Sequence, residues 1–148
     1  MAQVIDKDIN FKSFEKVMKA LKNKVIKVGV HSDAGTNEEG ELISDYAHAN
    51  EYGLGVPERS FMRSTEREKG ESWQKLMNKI IDKALVEDID INQHLGLVGT
   101  EVTNDIKEKI SSNIPPPNSK ETIARKKSSK TLIDTGTMRR SITYEVEG

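Results

Sequence analysis

The chain has 148 residues, 34% of them apolar and 32% charged, which is enough for one domain with a modest core and too little for two ordinary ones. Its 23 basic and 24 acidic residues leave a formal charge of −1, far from the basic balance of a typical nucleic-acid binder. The absence of cysteine excludes disulfides, thiolate nucleophiles and cysteine-held zinc or iron–sulfur sites.

Near the N-terminus, Phe11, Phe14, Val17, Met18 and Leu21 recur at spacings of three and four, with Lys12, Glu15, Lys16 and Lys19 between them. This spacing predicts an amphipathic helix over Ile9 to Leu21, with Asp8 or Asn10 as its cap. No apolar run has signal-peptide or membrane-span length, so a soluble, unsecreted chain is expected. Val25 to Val30 is short and β-branched and reads as a strand, with Ile26, Val28 and Val30 toward the core. The polar, glycine-containing stretch near 31–42 reads as a mobile loop. Ser44 is placed to cap a helix through Tyr52, and Gly53 to stop it.

Trp73, Leu76, Met77, Ile80, Ile81, Ala84 and Leu85 form a stripe of helical period, read as core. That helix spans Glu71 to Val86 at least. A start as early as Met62 stays open, because Gly70 would cost only ~1 kcal/mol within it. Leu95, Val98, Val102, Ile106 and Ile110 define the next helix, its first turn weakened by Gly96 and Gly99. Pro115, Pro116 and Pro117 enforce an extended stretch. Ser119 can then cap a short helix through Ala124, and Lys126 begins a basic loop near 126–131. Asp134 and Thr135 are candidate caps for one helical turn, with Met138 inward and Arg139 and Arg140 pointing apart. Ser141 to Val146 alternates and closes the chain as a strand, Ile142, Tyr144 and Val146 sharing a face. The expected fold is one α+β domain over 1–148, a small antiparallel sheet with helices packed on one face.

The chemistry-bearing residues do not assemble into a site. His31 with Asp33 is a candidate metal pair, but a polar loop after a strand accounts for both. His48 beside Asp45 and Glu51, and His94 near a helix start, read as ordinary surface or packing histidines. There is no HExxH, no Gly-x-Ser-x-Gly, no phosphate loop and no GxGxxG. Glu38, Glu39 and Glu41 cluster in a wet loop, a poor setting for a general acid. No catalytic residue, cofactor or metal is expected.

Three segments carry a recognisable pattern. The first includes Asn50, Glu51, Tyr52 and Gly53, then Pro57, Arg59, Phe61, Met62 and Arg63. The second is Pro116, Pro117, Asn118 and Ser119 with Thr122 and Ile123. The third is Leu132, Ile133, Asp134, Thr135 and Gly136 with Met138 and Arg139. In this order, with two helices between the first and second, they resemble the tail-completion and head–tail connector (neck) proteins of long-tailed bacteriophages. The pattern covers roughly residues 25 to 146. It departs where Ser60 and Lys120 stand at positions often held by proline.

The resemblance implies a virion subunit without catalysis, made in the host cytoplasm. It would form a ring of its own copies, usually a hexamer, at the neck or tail top. Its partners would be neighbouring connector and tail proteins, and DNA would pass through its channel. A tail terminator ring capping the tail tube is the alternative, and a nucleic-acid-binding module a more distant one. In that role Glu51, Tyr52, Arg59, Arg63, Asp134 and Arg139 are candidate interface residues. Arg59 and Arg63 could each project a fork toward a neighbour's carboxylate or could cap local carbonyls. Lys120, Arg125, Lys126, Lys127, Lys130 and Arg140 form a basic set that could face DNA, an acidic neighbour or only solvent. The acidic residues from Asp33 to Glu41 could supply a complementary surface.

Overall fold

A computed structural model describes residues 9–148. The elements in chain order are α1 (Ile9–Leu21), β1 (Val25–Val30), α2 (Ile43–Tyr52), α3 (Met62–Val86), α4 (Ile91–Ser111), α5 (Lys120–Lys126), α6 (Thr137–Ser141) and β2 (Ile142–Glu147). The fold is α+β. Its sheet has two antiparallel strands, β1 and β2, in register from Val25 opposite Glu147 to Val30 opposite Ile142. Two strands are too few to stand alone in water. Helix α4 supplies the missing support by packing against both, and α3 packs against α4.

The strand pattern places apolar side chains as the alternation predicts. Ile142 is buried and Tyr144 and Val146 partly so, while Thr143, Glu145 and Glu147 face out. Tyr144 lies across the first turns of α4, which explains the two glycines there. A Cβ at Gly99 would stand 2.4 Å from Tyr144 Cδ2, and one at Gly96 3.2 Å from its hydroxyl. The helix therefore starts earlier than the glycines suggest, at Ile91, with the Asp90 carboxylate accepting from the Gln93 N–H.

Helix α3 runs unbroken through Gly70 for 25 residues, about 37 Å. Its expected core stripe is only half covered: Ile80 is buried, whereas Trp73, Leu76, Met77, Ile81, Ala84 and Leu85 are all partly exposed. The reason is that α3 lies on the outside, against α4 and α1 rather than between layers. The buried core lies elsewhere, in Ile43, Ala47, Phe61, Ile106, Ile110, Leu132, Met138 and Ile142.

Several caps differ from expectation. Helix α2 begins one residue before Ser44, with Leu42 at the cap position and no side-chain cap. Its C-terminus follows the prediction, Gly53 adopting φ 71°. Ser119 caps α5 by accepting from the Thr122 N–H. Asp134 and Thr135 do not cap α6, because Gly136 occupies that place in left-handed conformation. The caps proposed at Asp8 and Asn10 lie at the edge of the chain: Asp8 is outside the described residues, and Asn10 falls within α1. The loop near 31–42 is folded on itself. The Asn37 side chain accepts from the N–H groups of Glu39 and Glu41, and Thr36 bridges to Leu42.

Candidate functional site

The motif segments meet around Glu51. This residue lies at the end of α2 and is 4% exposed. Its carboxylate accepts from the backbone N–H groups of Phe61 (2.7 Å), Met62 (2.9 Å) and Arg63 (3.0 Å), and from the Ser60 hydroxyl (2.8 Å). Arg63 Nε adds a charge-assisted bond at 3.0 Å. Those N–H groups belong to the first turn of α3, which has no cap of its own, so Glu51 caps it from a distance. Burial alone would push the Glu51 carboxyl up. The bonds from Met62, Arg63, Ser60 and Phe61 outweigh it and hold the carboxyl below the usual glutamate value. Glu51 was expected at a subunit interface; it is instead an internal tie within one chain.

Of the two readings open for Arg59, an outward fork or a cap on backbone carbonyls, this chain shows the second, with Arg59 only 6% exposed. Its Nε donates to the Pro116 carbonyl at 2.9 Å, and a second nitrogen reaches the Pro117 carbonyl at 3.5 Å. Proline-rich backbone leaves carbonyls without helix or sheet partners, and a buried guanidinium fork satisfies them. This single side chain fastens the first motif segment to the second. The Pro115–Pro116 peptide bond there is cis.

Arg63 stays half exposed but is engaged by Glu51, by Glu58 at 2.8 Å and by the Glu51 carbonyl at 2.6 Å. Its guanidinium lies 4.5 Å from the centre of the Tyr52 ring. Tyr52 itself is half exposed and begins a run of uncovered apolar side chains with Leu54 and Val56.

The third segment is tied to α4. Arg139 Nε donates to the Ser111 hydroxyl at 2.9 Å and the Lys107 carbonyl at 3.2 Å. Lys130 Nζ reaches the Ser111 carbonyl, so two cations meet the C-terminal end of α4, where its dipole is negative. Arg140 turns the other way, onto the Thr135 carbonyl. Asp134 is exposed. Sequence reading gave no hint that Asn118 would donate to the Lys130 carbonyl, or that Asn113 would accept from the Thr131 N–H.

The basic set divides into unlike parts. Lys120, Arg125, Lys127 and Lys130 are exposed, and Lys126 is half-buried. Arg125 and Lys126 share a cavity of about 120 Å³ with Glu38, Glu39 and Glu41. The acidic loop therefore faces basic residues of its own chain. Burial lowers the Lys126 ammonium below the usual lysine value, against the opposing pull of Asp134. Among the described residues, none of Lys120, Arg125, Lys126, Lys127, Lys130, Arg139 and Arg140 forms an ion pair.

No group of three His, Asp or Glu among the described residues could hold a metal ion. His31 pairs with Glu145 of the facing strand at 3.4 Å, not with Asp33. No helix among the described residues is long and apolar enough to cross a membrane. The chain matches no family model, no curated protein and no solved structure.

Proposed function

We propose that this chain is a non-enzymatic structural subunit of a bacteriophage virion. It assembles as a ring of its own copies, a hexamer if it follows the family it resembles, at the head–tail interface. There it completes the tail, helps join it to the head and leaves a channel for DNA.

The observation that carries this reading is the use the fold makes of the three motif segments. They are distant in sequence, yet Arg59 ties the first to the second, and Phe61 of the first shares the buried core with Leu132, Met138 and Ile142 of the third. The motif residues thus work as one internal brace, the kind of feature a family would keep for shape rather than for chemistry. The brace holds out the Tyr52–Val56 loop, whose apolar side chains are uncovered in the isolated chain.

Electron microscopy of particles assembled without this chain is the test. Filled heads detached from finished tails are the expected result. Overlong tails would move the role to a tail terminator, and normal virions would overturn the reading. A purified monomer that binds DNA tightly with a steep salt dependence would instead make it a nucleic-acid-binding module.

A further inference from the structure

Helix α1 leaves its best apolar side chains uncovered. Phe11, Phe14 and Met18 are 58%, 50% and 51% exposed, although Val17 on the adjoining arc is buried. The chain has only three phenylalanines, so two of them stand on this one face. A stripe of large apolar side chains at helical spacing is the signature of a helix that lies in a groove. The neighbouring arc carries Lys12, Lys16, Lys19 and Lys22 against Glu15 alone.

The same fold contains an apolar groove of about 430 Å³, lined by Ile26 and Val28 of β1, Met62 and Trp73 of α3, and Val98 and Val102 of α4. Glu66 stands on its wall and, among the described residues, has no ion pair. The groove follows the first half of α3, from Met62 to Trp73, whereas α1 is anchored near the last turn of that helix. Helix α1 is held at the far end, where Val17 and Ala20 lie across a cavity from Ala84 and Lys16 pairs with Asp88 at 2.6 Å. With Phe11, Phe14 and Met18 exposed, the α1 face does not fill the groove of its own chain.

We propose that α1 of one copy docks by Phe11, Phe14 and Met18 into the β1–α3–α4 groove of the next copy. The occupant is a second copy because the charges match: Lys12 and Lys22, which have no ion pair among the described residues, meet a groove whose free charge is Glu66, since Arg63 on the same wall is held by Glu51 and Glu58. Pairing of α1 with α1 is disfavoured, since it would bring two lysine arcs together. A contact between unlike surfaces repeats head to tail and closes into a ring when its rotation permits. This contact rests on the ring reading above and names the surfaces that build it.

Native mass spectrometry of the full chain over a concentration series tests it, comparing wild type with Phe14→Glu. Position 14 is exposed, so the variant should keep its circular dichroism while its association weakens about thirtyfold or more. Mixing two single-cysteine proteins, Met18→Cys and Glu66→Cys, supplies a second readout in a chain with no other thiol. Oxidation should give the mixed disulfide, with Met18→Cys alone remaining uncrosslinked. A ring indifferent to Phe14→Glu, or a Met18→Cys protein that crosslinks to itself, overturns the docking and leaves the ring. A wild-type chain that stays monomeric throughout overturns both.

Discussion

The brace around Glu51 and the outer face of α1 are opposites. In the first, polar groups are buried and nearly every donor and acceptor is matched, from the α3 N–H groups on Glu51 to the proline carbonyls on Arg59. In the second, apolar side chains are exposed and left half uncovered among the described residues. Burying a charge is costly unless it is fully bonded, so the brace must be complete within one molecule. Apolar surface is satisfied by any close-packed neighbour, so the α1 face can wait for a second molecule. The comparison separates residues that hold the fold together from residues that leave a face of it uncovered.

The largest effect should come from the brace. Glu51→Gln removes the charge that the α3 N–H groups and Arg63 surround, and should cost about 3 kcal/mol in urea unfolding. The wild type should show the same dependence through pH. Because the folded Glu51 pKa lies below its usual 4.5, its stabilisation is complete above that value and is lost as pH falls through the folded pKa. Glu51→Gln should flatten that part of the acid limb; an unchanged acid profile would remove Glu51 from the brace.

Gly99→Ala comes next. A helix normally gains from alanine, but here the added Cβ meets the Tyr144 ring at 2.4 and 2.5 Å. Overpacking should win, with a net loss of about 1–2 kcal/mol. Recovery of stability when Tyr144→Ala is added would locate the clash. Arg59→Ala should cost about 1–2 kcal/mol, by leaving the Pro116 carbonyl unbonded. As an outward interface residue it would have left stability untouched, so the urea midpoint decides between the two roles.

The smallest effect should be on the other side of the comparison. Phe14→Ser should change monomer stability by less than about 0.5 kcal/mol, because the ring is half exposed already. A loss above 1 kcal/mol would show that α1 needs that face for its own docking on α3.

How much of this was legible in the sequence depended on the range of each interaction. Periodicity located α1, α3 and α4, and local capping chemistry located Gly53 and Ser119. The Glu51 carboxylate gave no such signal, since its partners lie nine to twelve residues on and only a chain reversal turns them toward it. Arg59 and the Pro116 carbonyl are 57 residues apart. Gly96 and Gly99 looked like a weakened helix start because Tyr144, which occupies the space they leave, comes from the other end of the chain. Apolar periodicity gave the faces of α1 and α3 but not their burial, which depends on how many layers the fold stacks against them.

Helix α3 also acts as a ruler. Its 25 residues, uninterrupted by proline, fix the interval between the motif brace at its first turn and the α1 anchorage at its last. Seven residues inserted at its exposed middle would lengthen that interval by about 10.5 Å and rotate one end against the other by only ~20°. Two or five would turn one end against the other by roughly 160° or 140° for a smaller change in length. The spacing and the relative orientation of the brace and the α1 anchorage are thus both encoded in the turn count of a single helix.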